Sequence, residues 1–172
     1  MKALEIGPGR HPVHRAWDTM DMVGSPTILH DLRMLPLPVA SGSYDLVYMS
    51  HILEHIPWFQ TVDVLKEIHR ILKHSGTVEI WVPDLRYLIQ CYLKNKIGDR
   101  WLKFNKEKDP VTWLNGRLFT YGPGEENWHR AAFDKPYLVR RLKQAGFRHC
   151  QNLKKPRGYD HGPINLGVAA VK

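Results

Sequence analysis

Two groups of side chains in this sequence could do chemistry. His51-Ile52-Leu53-Glu54-His55 spells H-x-x-E-H. Two histidines four apart can share a helix face and ligate zinc beside a carboxylate. Alternatively, one imidazole can act as a general base near neutral pH. The second group is Gly7-Pro8-Gly9, which follows an apolar run ending at Ile6. Glycines there let a ligand approach the backbone at the carboxyl end of a sheet. Asp21 follows Gly7 by 14 residues and Asp31 follows later. An acid at the end of a second strand can accept hydrogen bonds from ribose hydroxyls. Each acid alone reads equally as a cap or turn residue, whereas the ordered set Gly7, Gly9, Asp21 and Asp31 is more specific.

Spacing removes several chemistries. Position 12 is proline, so the loop is not G-x-G-x-x-G, and no Gly-Lys-Ser/Thr follows it as in a phosphate-binding loop. The H-x-x-E-H string comes directly after a strand-like run and just before Pro57, which leaves no room for a long zinc-binding helix. No metal ligand set is therefore assigned. Cys91 and Cys150 form no C-x-x-C pair, which argues against a disulfide framework or a cysteine zinc site. An Asn/Asp-Pro-Pro-Tyr motif for amino methylation of bases is absent, as is a Pro-Cys nucleophile.

The elements that must position these residues follow from periodicity. Lys2 to Ile6, Thr27 to Leu29, Tyr44 to Met49 and Thr77 to Val82 read as strands. Pro57 stands where a first helical turn would begin; Phe59, Val62, Leu65, Ile68 and Leu72 give the buried face, and Gly76 the stop. Asp84 is placed to cap a helix that buries Leu85, Leu88, Ile89, Tyr92 and Leu93. Asp134 is placed to cap another, with Leu138, Leu142 and Ala145 inside and Gly146 beyond its end. Phe147 to Leu153 and Ile164 to Val171 read as closing strands. Strand, glycine loop, then alternating helix and strand predicts an α/β fold with a parallel sheet.

The 172 residues suit one domain, 1–172, and no internal repeat is present. No run approaches the ~18 consecutive apolar residues of a membrane helix. The first residues carry an acid and a glycine where a signal peptide needs an apolar run, so the expected location is cytoplasmic. Residues 1–97 hold ten basic and ten acidic side chains, whereas 98–172 hold fifteen and seven. The whole net charge of +8 therefore lies in the second part. That suggests an anionic partner, against the alternative of a merely solvated basic surface. Residues 98–128 have no long period and read as an irregular insertion or lid. They combine Trp101, Phe104, Trp113, Phe119, Tyr121 and Trp128 with Arg100, Lys103, Lys106, Lys108 and Arg117. Aromatic faces with interleaved cations suit sugar rings or nucleobases; equally, they could pack the segment onto the sheet.

The text Leu4-Glu5-Ile6-Gly7-Pro8-Gly9, His30-Asp31-Leu32, Tyr44 through His55, Leu65 through Lys73 and Val82-Pro83-Asp84-Leu85 resembles a known family. It is similar to the class I S-adenosylmethionine-dependent methyltransferases, near the small type-11 group often associated with glycan synthesis. The likeness continues more weakly through His129, Phe133-Asp134 and the last strand, and leaves out roughly 98–127. It implies a Rossmann-like, seven-stranded, mostly parallel sheet with an antiparallel last strand. It implies S-adenosylmethionine as cofactor and S-adenosylhomocysteine as product. Glu5, Gly7, Pro8 and Gly9 would border the methionine part, Asp21 and Met22 the ribose, and Asp31-Leu32 the adenine edge. Ser50 and His51 would lie beside the sulfonium. The sequence departs from the family pattern at Arg10-His11, where the third glycine of the loop is missing. It also lacks a helix before the first strand.

An alcohol acceptor needs a base, and the candidates are His51, His55 and His129, with His51 favoured for its place after the fourth strand. Candidate acceptor contacts are Trp113, Arg117, Trp128 and His129. The expected activity is O-methylation of a sugar residue in a glycan or nucleotide-linked sugar. The alternatives are methylation of another small molecule or of nucleic-acid ribose, and a cofactor-binding regulatory module that depends on a partner enzyme. A homo-oligomer is compatible with all three.

Overall fold

The computed structural model describes residues 1–96, 106, 108–120 and 124–172. Ala3–Ile6 forms β1, with all four residues buried. Asp18–Asp21 forms β2, Ile28–Leu29 β3 and Tyr44–Ser50 β4. Helix α1 spans Thr61–Ile71 and runs directly into β5, Leu72–Pro83. Helices α2 (Leu85–Leu93), α3 (Pro110–Leu118) and α4 (Lys135–Gln144) follow. Strands β6 (Arg148–Leu153) and β7 (Asn165–Val171) close the chain. The strands form one seven-stranded sheet in the order β3-β2-β1-β4-β5-β7-β6. Pairing is parallel from β3 to β5, and β7 is antiparallel to both neighbours. The expected Rossmann-like α/β architecture is therefore present.

This order determines which residues meet. The carboxyl ends of β1, β2 and β4 put Gly7, Asp21 and His51 along one edge of the sheet. Because β7 runs the other way, its first residue reaches that same edge: Asn165 pairs with Pro83, the last residue of β5.

Several boundaries differ from the sequence expectation. Pro57 and Phe59 precede α1, and Phe59 is exposed. Before them lies only a 3-10 turn, Leu53–His55. The buried face of α1 is Thr61, Val64, Leu65, Ile68 and Ile71, and Leu72 is already extended. Gly76 is consequently inside β5 rather than a helix stop. In α2, Asp84 does cap, accepting from the Arg86 and Tyr87 N–H groups. The helix buries Leu88 and Cys91, while Ile89 and Leu93 face outward. The segment expected to be irregular contains α3, started by Asp109 as cap and Pro110 in the first turn. Arg100, Trp101, Lys103, Phe104 and Tyr121, singled out in the sequence, lie outside the described residues. The cap at Asp134 and the turn at Gly146 are as expected, with Leu138 and Leu142 buried.

One clasp holds the loop before β4 to helix α1. Glu67 accepts from the Leu37 N–H at 2.8 Å. Arg70 donates to the Val39 carbonyl at 2.7 Å and the Leu37 carbonyl at 3.1 Å, and pairs with Glu67 at 2.7 Å. Charge-assisted bonds of this kind are roughly twice as strong as neutral ones. Arg70→Ala should therefore lower unfolding stability by about 2 kcal/mol, read as an earlier urea midpoint at unchanged slope.

Candidate functional site

A cavity of about 300 Å³ opens at the carboxyl ends of β1, β2 and β4. Of the cofactor residues expected from the sequence, Gly7, Gly9, Asp21, Met22, Asp31, Leu32 and His51 line it, together with His55. Glu5, Pro8 and Ser50 are not among its lining residues. Glu5 is buried instead behind the loop, where its carboxylate accepts the Val13 N–H at 2.7 Å. Burial holds that carboxyl above its usual range. The sequence reading missed Ile52, Arg33, Glu125 and Asn127, which also face the cavity. Nothing in their spacing marked them.

The glycine loop is shaped by its neighbours. Gly7 has φ +70, and its N–H donates to the Met20 carbonyl at 2.8 Å. A Cβ there would lie 1.9 Å from the Ile52 side chain. Gly9 has φ +56 with open space beside it. Its N–H points to Asp21 Oδ2 at 3.3 Å, and Asp21 Oδ1 accepts the Met22 N–H at 2.7 Å. Asp21 thus ties the loop after β1 to the end of β2 while facing the cavity. Asp31 is engaged by Arg33, which donates from Nε and Nη2 at 2.7–3.0 Å. That guanidinium holds the Asp31 carboxyl below its usual range.

The other end of the cavity is a histidine cluster around Glu54. The Glu54 side chain is 1% exposed. Its backbone carbonyl accepts from the Arg130 and Ala131 N–H groups at 2.7 and 3.0 Å, which brings the 128–131 segment against the 3-10 turn. Burial opposes ionisation of the carboxyl, but His51, His55 and His129 around it hold it below its usual range.

His51 sits at φ +55 directly after β4. Its Nδ1 is 3.2 Å from Glu54 Oε1, and its Nε2 is 2.8 Å from Asn165 Oδ1. Asn165 Nδ2 donates to Asp160 at 2.7 Å, which fixes the amide so that its oxygen faces His51. Both ring nitrogens therefore face oxygens, with a hydrogen bond at Nε2 and an ion-pair contact at Nδ1, and this pairing favours the doubly protonated ring. Burial alone would lower the His51 pKa, but Glu54 and Asn165 carry it above the usual value. The tilted ring of His161, 3.9 Å away between centroids, has its pKa pushed down to about 4 by burial and by that neighbouring charge. This argues against His51 as the base, because Nε2 has no lone pair to offer.

His55 and His129 are arranged differently. His55 Nδ1 donates to the Trp128 carbonyl at 3.2 Å, and His129 Nδ1 donates to the Arg117 carbonyl at 3.1 Å. A carbonyl only accepts, so in the neutral ring each Nε2 keeps its lone pair. Burial lowers the His129 pKa, which favours that neutral ring. The two rings meet edge to face at 4.9 Å between centroids. Of the acceptor contacts expected from the sequence, Trp113 is displaced: it is 3% exposed and packs with Leu88, Cys91 and Ile164 in a small core between α2 and α3. Arg117 and Trp128 contribute backbone carbonyls to the histidines, and the Trp128 ring is exposed. Neither lines the cavity, nor does His129.

Residues 5–80 match the family model described as a methyltransferase domain. No curated protein sequence matches the chain significantly. Among solved structures, the chain is similar to an S-adenosylmethionine-dependent methyltransferase from Thermotoga maritima described as a possible histamine N-methyltransferase. Identity is 20%, with 99% of this chain and 82% of that one covered, at a TM-score of 0.59. An S-adenosylmethionine-dependent methyltransferase from Archaeoglobus fulgidus matches at 15% identity, covering 99% and 86%, with a TM-score of 0.64. A third is the 1,6-didemethyltoxoflavin-N1-methyltransferase of Burkholderia thailandensis, solved with S-adenosylhomocysteine. It shows 16% identity, 99% and 70% coverage and a TM-score of 0.57. Sheet order, the glycine loop with its following acid, and the solved structures converge on one fold: the chain has the fold of the class I S-adenosylmethionine-dependent methyltransferases, and its residues 5–80 match their methyltransferase domain.

Proposed function

We propose that this chain is an S-adenosylmethionine-dependent methyltransferase acting on a hydroxyl oxygen, on a sugar residue of a glycan or nucleotide-linked sugar. The observation that carries the reading is the imidazole of His55, which lines the cavity with its Nδ1 engaged by a carbonyl so that Nε2 keeps its lone pair, while His129 and Glu54 back it from outside the lining. An alcohol must lose its proton as it takes the methyl group, whereas an amine acceptor needs no such group in its neutral form.

The residues fit the cofactor. The open side of Gly9 and the positive φ of Gly7 leave backbone exposed to a ligand. Asp21 and Met22 stand where ribose is expected, and Asp31-Leu32 where the adenine edge is expected. S-adenosylmethionine supplies a methyl group already activated by its sulfonium. The chain's own task is then alignment and proton removal. Bond making between acceptor oxygen and methyl carbon accompanies loss of the sulfur–carbon bond, and the hydroxyl proton passes to an imidazole Nε2. His51, locked between Glu54 and Asn165, serves as a positioning residue at the end of β4. Glu125 and Asn127 line the cavity from the 98–128 segment, which supports reading that segment as a lid over the acceptor. The basic second part of the chain favours an acceptor carrying phosphate or carboxylate.

Asp21→Ala should weaken S-adenosylhomocysteine binding by roughly 10–100-fold in isothermal titration, the loss expected for a charge-assisted hydrogen bond to ribose. With nucleotide-sugars and acidic oligosaccharides as acceptors, mass spectrometry should find a gain of one methyl on oxygen. His55→Ala should cut kcat by about 100-fold or more while S-adenosylhomocysteine still binds. Methylation only of amines, or only of nucleic acid with a steep salt dependence, would overturn the sugar reading.

A further inference from the structure

One oxygen of Glu54 and one ring nitrogen each of His55 and His129 lie within 4.8 Å of one another. Three features of this group go beyond what a proton acceptor needs. First, Glu54 is almost completely buried, yet neither carboxylate oxygen accepts a hydrogen bond. The charge of His51, whose Nδ1 lies 3.2 Å from Oε1 as an ion-pair contact outside hydrogen-bond geometry, compensates that oxygen, but Oε2 has no partner among the described residues. A buried carboxylate oxygen left without a donor or a directly bound cation is costly. Second, both histidines donate Nδ1–H to backbone carbonyls. Metal-bound histidines are held in this way, because the second hydrogen bond fixes the tautomer and aims the other nitrogen at the ion. Third, the ligand atoms come from two segments that are fastened together by backbone bonds. Arg130 and Ala131 donate to the Glu54 carbonyl, and the His129 N–H donates to the Phe119 carbonyl.

We propose that Glu54, His55 and His129 bind a divalent first-row transition-metal cation, of which zinc is the type. Two imidazole nitrogens and one carboxylate oxygen suit Zn²⁺ or Co²⁺ and are a poor set for Mg²⁺, which demands oxygen ligands and octahedral geometry. Bond lengths of about 2.0–2.2 Å place tetrahedral ligand atoms roughly 3.4 Å apart. The three groups need to close by at most about 1.4 Å, by side-chain rotation, to reach that spacing. Three protein ligands leave a fourth position, and His55 faces the cavity. With the ion bound, the His55 and His129 lone pairs would be taken, and the ion would replace the imidazole base as a Lewis acid that acidifies the acceptor hydroxyl, whose proton would leave to solvent. That consequence rests on the O-methylation reading, but binding itself does not. The arrangement differs from the zinc-protease pattern that the H-x-x-E-H string suggests. His51 is outside the ligand set because its nitrogens face Glu54 and Asn165, and the third ligand is a residue 74 positions after His55.

The test uses the untagged full chain after chelator treatment, without cofactor or acceptor. Titration with Zn²⁺ should show one site, and Co²⁺ should give the visible absorption bands of a tetrahedral or five-coordinate ion. Excess Mg²⁺ should not displace either. Glu54→Gln and His129→Ala should each weaken Co²⁺ binding by at least about 100-fold, more than the loss of an outer-shell partner causes. His14→Ala, remote and exposed, should leave it unchanged. Thermal unfolding checks that each variant is folded; should Glu54→Gln fail, His55→Ala takes its place. Absence of a stoichiometric site, or Co²⁺ bands that persist in both ligand variants, would overturn the proposal. Since this readout involves no methyl transfer, failure to methylate sugars would count against the acceptor reading and not against the ion.

Discussion

The burial of one carboxylate shapes this end of the molecule. Glu54 lies at the carboxyl edge of the sheet with almost no solvent contact. Its charge must be compensated locally, because desolvating an ion costs far more than an ordinary hydrogen bond returns. The compensation comes from histidines on three sides, and each of these must in turn be held. Asn165 holds His51, the Trp128 carbonyl holds His55, and the Arg117 carbonyl holds His129. A single buried group thus recruits β7, the end of α3 and the segment after it into one structure.

Sheet topology makes that recruitment possible. In an all-parallel sheet every strand would present its end at the cofactor edge. Here β7 presents its beginning, so Asn165 arrives with the preceding 3-10 turn and with Asp160 and His161. The antiparallel strand is therefore more than a closing piece of the sheet. It carries the amide oxygen that keeps a proton on His51 Nε2.

What could be read from the sequence divides along physical lines. The strands and the glycine loop were legible because local hydrophobic runs and turn residues mark them directly, and Asp21 fell at the end of β2 as its spacing suggested. Helix boundaries shifted where neighbouring elements overrode local signals. Leu72 extends the period of α1 but pairs with Tyr44 in the sheet, so the strand claims it and Gly76 as well. Trp113 looked like a platform for a ligand because composition cannot distinguish an exposed ring from one that packs against Leu88 and Cys91. The histidines were visible, but their roles were not. Position after β4 suggested His51 as the base. Its tautomer depends on Asn165, 114 residues away, and the tautomers of His55 and His129 depend on distant backbone carbonyls.

The contact between Gly7 and Ile52 carries a consequence of a mechanical kind. The glycine loop rests directly on the side chain that stands between His51 and Leu53, with no space for even a methyl group. The part of the site proposed to grip the cofactor and the part proposed to handle the acceptor's proton therefore share one bearing surface. Displacing the loop must push the histidine turn, and a shift of that turn must press back on the loop. The two halves of a two-substrate site are then unable to drift independently, and their alignment is preserved by a contact that touches neither substrate.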